Sequence, residues 1–152
     1  MDKDKIFNLF DEENNPNPSP QEKVETNLQN SFIKVGMFIK LIQNHNVFHR
    51  KLKNFLKSEQ PEYSDGDVNI KNISEFTVYN RSWGFIKDIN LKSEVDLEVI
   101  ANFDSKMFLS VIKSAIKYFE STEEYERCSF LLEIEKIIRN PNSPYVTSEH
   151  KN

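Results

Sequence analysis

The chain has 152 residues, which predicts one domain, and its 38% hydrophobic and 29% charged residues are typical of a soluble globular protein. A single cysteine excludes a disulfide framework and favours a reducing cytoplasm, and no apolar run is long enough to span a membrane. The net charge of -4 is unevenly divided: residues 1–30 carry -4, residues 31–57 carry +6 without one acid, and residues 58–152 carry -6. Abundant Asn, Lys and Ile indicate an AT-rich genome, bacterial or phage.

Residues 1–18 are predicted to be a disordered tail that holds one apolar peptide, made of Ile6, Phe7, Leu9 and Phe10. Exposed aromatic residues in an unfolded arm favour aggregation unless they dock, so we expect this peptide to bind its own domain or a partner protein. Its Phe-Asn-Leu-Phe sequence resembles the Leu-Ser/Asp-Leu-Phe core of peptides that bind the bacterial sliding clamp, without their leading Gln. The resemblance implies the clamp as one candidate partner.

A single domain is predicted over residues 19–140, and it begins with a helix. Ser19, Pro20 and Glu22 form a capping-box pattern with proline at the first helical position. Apolar residues then recur at steps of three and four, the period of a buried helix face: Val24, Leu28, Phe32, Val35, Ile39 and Ile42, followed by Phe48, Leu52, Phe55 and Leu56. Asn44–Asn46 are weak helix formers, so we expect one kinked helix or two in succession.

This helical region contains the basic segment. We predict that its cations contact phosphates or an acidic partner: Lys40, Arg50, Lys51, Lys53 and Lys57. Three alternatives stay open, namely binding of nucleic-acid phosphates, binding of a protein or membrane surface, and pairing within the molecule. In the last of these, the cations would face a group of acids near the C-terminus: Glu120, Glu123, Glu124 and Glu126.

The predicted fold class is α+β and predominantly α. A long N-terminal helix or helix pair precedes a small antiparallel meander over residues 68–103, in which residues 75–79 and 95–103 are strands and residues 83–91 are strand or helix. A C-terminal αα-hairpin follows, with Asp104 as the first cap, Ser121 and Glu124 as a second capping box, and Arg139 in the last turn. Residues 141–152 are predicted to be a mobile tail.

Residues 123–137 resemble part of a known motif. Tyr125, Glu126, Arg127 and Leu131 match the second half of the UVR-type helical hairpin found in nucleotide-excision-repair proteins. Cys128 and Ser129 replace the alanine pair of that motif. The resemblance implies a hairpin that pairs with other helices; it does not imply repair activity.

We find no pattern that indicates catalysis. His45 and His49 have the i, i+4 spacing of two metal ligands on one helix, but no third ligand lies nearby in the sequence, so we predict no metal and no cofactor. Three glycines leave little material for a phosphate-binding loop. The sequence therefore predicts a non-enzymatic, cytoplasmic accessory factor that binds a protein partner through its N-terminal peptide and its basic helix. Nonspecific nucleic-acid binding through residues 40–57 is the alternative.

Overall fold

The computed structural model describes residues 17–59 and 68–140, and every regular element in these two ranges is an α-helix. The helices are α1 (Pro20–Glu59), α2 (Val68–Ile86), α3 (Glu94–Asn102), α4 (Ser105–Ser121) and α5 (Tyr125–Arg139). Helix α1 contacts α2, α3 and α4, so it is the element around which the others assemble. The predicted N-terminal docking peptide and the predicted C-terminal tail lie outside the described residues.

The start of α1 confirms the predicted capping box. The Ser19 backbone N–H donates to Glu22 Oε2 (2.8 Å), and the Glu22 N–H donates to Ser19 Oγ (3.2 Å). The predicted alternative of two successive helices is wrong, because α1 runs through Asn44–Asn46 without interruption. A tertiary contact explains why these weak helix formers stay helical: Asn46 Nδ2 donates to Ser114 Oγ (3.1 Å) on α4.

The α+β fold class is wrong, because the predicted meander over residues 68–103 consists of α2, a short loop and α3. The β-forming residues 75–79 lie within α2, where Tyr79 and Ile86 face the core two turns apart. The apparent alternation in residues 95–103 is also misleading. A period of two places Asp96 on the outward face and leaves Ile100 out of the apolar set. Both residues are buried, and they have the i, i+4 spacing of one helix face.

The C-terminal αα-hairpin is confirmed, and α4 and α5 pack along each other. Asp104 caps α4 by accepting a hydrogen bond from the Met107 N–H (2.8 Å), as predicted. The second capping box is wrong: Ser121 is the last residue of α4, and its hydroxyl donates to the Tyr118 carbonyl. Glu123 makes the turn with a φ of 61°, in the left-handed region.

A buried carboxylate joins α1 to the loop that precedes α3. Asp96 Oδ1 accepts a hydrogen bond from the Ser31 hydroxyl, and its Oδ2 accepts one from the Asn90 N–H (2.7 Å). Next to it the rings of Phe32 and Phe103 stack with their centroids 4.9 Å apart. These contacts determine that α3 packs against α1 from about Ser31 onwards.

Candidate interaction surface on the long helix

The five cations predicted to make contacts all lie on α1 and are exposed. Helical periodicity places Lys40 and Lys51 on one flank of the buried stripe, and Arg50, Lys53 and Lys57 on the other. No acid interrupts residues 31–57, and four of the six cations of this segment lie within residues 50–57.

Two aromatic side chains stand among these cations. Phe48 is 62% exposed and Phe55 is 60% exposed, which corrects the prediction that both belong to the buried face. They are seven residues apart, so they lie on one side of α1 about 10 Å apart along its axis, with Lys51 between them. We call residues 48–57 the basic–aromatic end of α1.

Four of the predicted cations do not pair with the acids near the C-terminus. Among the described residues, none of Lys40, Arg50, Lys51 or Lys57 forms a salt bridge. Glu124 instead binds its neighbour on α5, with 2.7 Å between Arg127 Nε and Glu124 Oε2. Within the described residues, the charges of Arg50, Lys51 and Lys57 are therefore not neutralised by an ion pair.

An open groove of about 390 Å³ runs beside this end, between α1 and the first turns of α4. Its apolar lining comes from Val47, Met107 and Val111, and the cations at it are Arg50 and Lys106. The lining is completed by the acid Asp104 and by three uncharged polar side chains: Gln43, Asn46 and Ser110. An apolar side chain with acidic neighbours would match this combination of surfaces.

A second cluster of polar side chains joins α1 to α2. The rings of His45 and His49 lie 4.3 Å apart, and the Tyr79 ring packs edge-on against His45 at 5.8 Å. Burial, and then the charge of His49, lowers the pKa of His45 to about 4. Burial, and then the charge of Glu75, raises the pKa of Tyr79 to about 12. Both His45 and Tyr79 are therefore neutral near pH 7.

This cluster contains a serine–histidine contact that the sequence analysis missed, because its two residues lie 25 positions apart. His49 Nε2 is 2.9 Å from Ser74 Oγ, but the Ser74 hydroxyl donates its single hydrogen to the Lys71 carbonyl (3.0 Å). With the Ser74 hydrogen on the Lys71 carbonyl, the Nε2–H tautomer of His49 donates to Ser74 Oγ; the other tautomer accepts from it. In either case the contact joins α1 to α2.

The predicted absence of a metal site rested on the missing third ligand of the histidine pair. Within residues 17–59 and 68–140, no group of three or more His, Cys, Asp or Glu side chains could hold a metal ion. The one cysteine, Cys128, is buried between α4 and α5, where its thiol faces the Ile116 carbonyl. Burial, and then the charge of Glu120, raises its pKa, so the thiol is a poor nucleophile.

Comparison with known proteins gives no relative from which a role could be transferred: no family model, curated protein or solved structure matches the chain. The resemblance of residues 123–137 to a UVR-type hairpin therefore stays a prediction. In the part of the chain that the structure describes, no helix is long and apolar enough to cross a membrane.

Proposed function

We propose that this chain is a non-enzymatic accessory protein of a cytoplasmic bacterial or phage complex, and that it binds an acidic partner protein through the basic–aromatic end of α1. The observation that carries the proposal is the exposure of Phe48 and Phe55 beside Arg50 and Lys51, which form no salt bridge within the described residues. Large exposed aromatic side chains and arginine are typical anchors of protein interfaces, and surrounding charges set the rate and the choice of partner.

The groove next to Arg50 supports a protein as the partner. Its mixture of apolar side chains with Arg50 and Lys106 suits a peptide in which an apolar residue is flanked by Asp or Glu. A nucleic acid would use the cations of the groove and leave Val47, Met107 and Val111 without a matching group. The N-terminal peptide is the other predicted contact; it lies outside the described residues, and its role stays a prediction.

The test is co-purification of partners with the tagged full-length chain, quantified by mass spectrometry after nuclease treatment. We expect the Phe48→Ser/Phe55→Ser variant to lose the specific partners of the wild type. The matched control is Tyr125→Ser/Leu132→Ser on α5, which removes two exposed large hydrophobic side chains, also seven residues apart, from a different helix. Equal losses in both variants, or no loss in either, would contradict the proposal.

Single-stranded nucleic acid is the second candidate ligand, because Lys51 lies between Phe48 and Phe55. Aromatic side chains spaced along a basic surface stack with successive bases while the cations neutralise phosphates. If four cations each contact one phosphate of a single strand, a fourfold rise in salt concentration weakens binding roughly fiftyfold. Binding of an acidic peptide in the groove beside Arg50 would also weaken with salt, but it would survive nuclease treatment.

A fluorescent oligonucleotide, single-stranded or duplex, tests this second candidate at 50 mM and 200 mM salt. We expect that changing Arg50, Lys51, Lys53 and Lys57 to Gln removes the salt-dependent binding. A control variant with Lys87, Lys92, Lys113 and Lys117 changed to Gln loses the same charge from exposed positions elsewhere and should bind as the wild type does. No binding of the wild type at 50 mM salt excludes this candidate and leaves the acidic protein partner.

A further inference from the structure

The first three turns of α1 extend beyond the helices that cover its middle part. Every residue from Gln21 to Asn30 is exposed, whereas the turns that follow contribute Val35, Ile39 and Ile42 to the core. The buried carboxylate of Asp96 and the Phe32–Phe103 stack mark the point where this cover begins.

The exposed part of α1 nevertheless carries an apolar stripe. Val24 is 54% exposed and Leu28 is 38% exposed. Phe32 stacks on Phe103 but is still 52% exposed, and the i, i+4, i+8 spacing puts all three on one side of the helix. This side is continuous with the side that is buried further along α1. We call these three residues the outer stripe.

An exposed apolar stripe along helical turns that no other helix covers is unfavourable. Isolated short helices are marginally stable in water, and most helical stability in proteins comes from packing an apolar face. The capping box at Ser19 stabilises the end of the helix, but it buries no apolar surface. We therefore expect a segment that covers the outer stripe.

Chain length identifies a segment that can do so. Phe10 is joined to Pro20 by nine residues, which span at most about 30 Å. The outer stripe starts about 6 Å and ends about 18 Å along α1, so the tether reaches all of it. Phe48 lies about 42 Å along the helix, which is beyond the reach of Phe10 and at the limit of the reach of Ile6.

A second copy of the chain is a poorer occupant. Three half-exposed side chains offer on the order of a few hundred Å² per copy, whereas stable interfaces bury about 1,200–2,000 Å² in total. A tethered segment needs far less contact area, because a short linker gives it an effective concentration in the millimolar range.

We propose that residues 6–10 dock on the outer stripe of the same molecule, so that the side chains of Ile6, Phe7, Leu9 and Phe10 cover Val24, Leu28 and Phe32. The docked peptide extends the core of the bundle along the first three turns of α1. This inference is independent of the ligand bound at the basic–aromatic end.

Hydrogen exchange of the full-length chain tests the docking. The Phe7→Ser/Phe10→Ser variant should exchange the amides of residues 21–30 at least tenfold faster than the wild type, with no change in α4. An Asp11→Ser/Glu12→Ser variant, altered next to the peptide, should match the wild type. Unchanged exchange of residues 21–30 in the Phe7→Ser/Phe10→Ser variant would overturn the proposal.

Disulfide trapping distinguishes docking in cis from docking between copies. The native thiol is first removed by Cys128→Ala, and Phe7→Cys is then combined in turn with Val24→Cys, Leu28→Cys or Phe32→Cys. Control pairs use Thr26→Cys or Asn30→Cys, which lie on the opposite side of α1. Fast intramolecular crosslinking to at least one stripe position and not to the controls supports the proposal. Crosslinked dimers, or equal crosslinking to both sides, would contradict it.

Discussion

Replacing Asp96 with Ala should cost about 2–4 kcal/mol of the free energy of unfolding. The carboxylate is buried and accepts hydrogen bonds from the Ser31 hydroxyl and the Asn90 N–H. Hydrogen bonds to a charged group contribute about 1.5–3 kcal/mol each, and the Ser31 hydroxyl would be left buried without its partner. The substitution also removes the desolvation cost of the carboxylate, so the net loss is smaller than the sum of the two bonds. It is still a large part of the roughly 5–15 kcal/mol that is typical of a whole domain.

Urea unfolding followed by the fluorescence of Trp83 measures this loss. Trp83 is the single tryptophan, and its ring packs edge-on against Phe119 and Phe130, so its emission reports the packing of three helices. The control is Glu98→Ala, which removes an exposed carboxylate from the same helix and should change stability by less than about 0.5 kcal/mol. An equally small effect of Asp96→Ala would refute the reasoning.

A double-mutant cycle assigns the loss to the hydrogen bond between α1 and α3. Ser31→Ala alone should cost about 1–2 kcal/mol, because the carboxylate keeps the Asn90 N–H. In the double variant, the total loss should be smaller than the sum of the two single losses by at least about 0.5 kcal/mol. Strict additivity would mean that the two side chains act independently.

Three further predictions concern the histidine cluster, the hairpin turn and the cysteine. Because burial lowers the pKa of His45 from 6.5 to about 4, the unfolded chain binds more protons than the native one between these values, and stability falls as the pH drops through this window. Between pH 7 and pH 5, the loss of stability due to His45 should be about 1 kcal/mol after a discount for its partial exposure to solvent. Urea unfolding at the two pH values measures this loss, which should be absent from the His45→Gln variant. Glu123→Gly should raise stability by about 0.5–1 kcal/mol by removing side-chain strain at positive φ, whereas Glu126→Gly inside α5 should lower it by a similar amount, both measured by urea unfolding. The buried thiol of Cys128 should react with a thiol reagent at least a hundredfold more slowly in the native chain than in urea; comparable rates would contradict its burial.

The elements that could be predicted from the sequence are those whose signals are local. The Ser19 capping box and the Asp104 cap each involve residues three positions apart, and the structure has both. Helices α4 and α5 carry apolar residues at regular steps of three and four, so their pairing as a hairpin followed from that pattern.

The errors arose where distant contacts outweigh local preference. The β-forming residues 75–79 are helical because Tyr79 stacks on Tyr118 of α4, with ring centroids 4.4 Å apart. Asp96 was interpreted as an outward residue because its hydrogen-bond donor, Ser31, is 65 positions away. Polar residues that are buried with a distant partner mimic exposed ones in any pattern based on hydrophobicity.

The sequence analysis predicted the exposed cations of the candidate site and missed its two exposed aromatic residues. The absence of acids from residues 31–57 is visible in the sequence, and the exposure of its cations follows from their charge. Phe48 and Phe55 fit the apolar period of the helix, and only the positions of the neighbouring helices decide that they stay uncovered. Sequence alone cannot distinguish an apolar residue that has a packing partner from one that lacks it.

The length of α1 explains why its two exposed surfaces should act independently. A helix of 40 residues is about 60 Å long, and the outer stripe ends about 24 Å along the axis before Phe48. A peptide tethered at Pro20 cannot cover both surfaces, so deleting residues 1–10 should leave binding at the basic–aromatic end unchanged while exposing the outer stripe. If this deletion instead abolishes partner binding, the peptide itself contacts the partner, as the sequence analysis predicted. The peptide would then dock on the outer stripe only while no partner is bound.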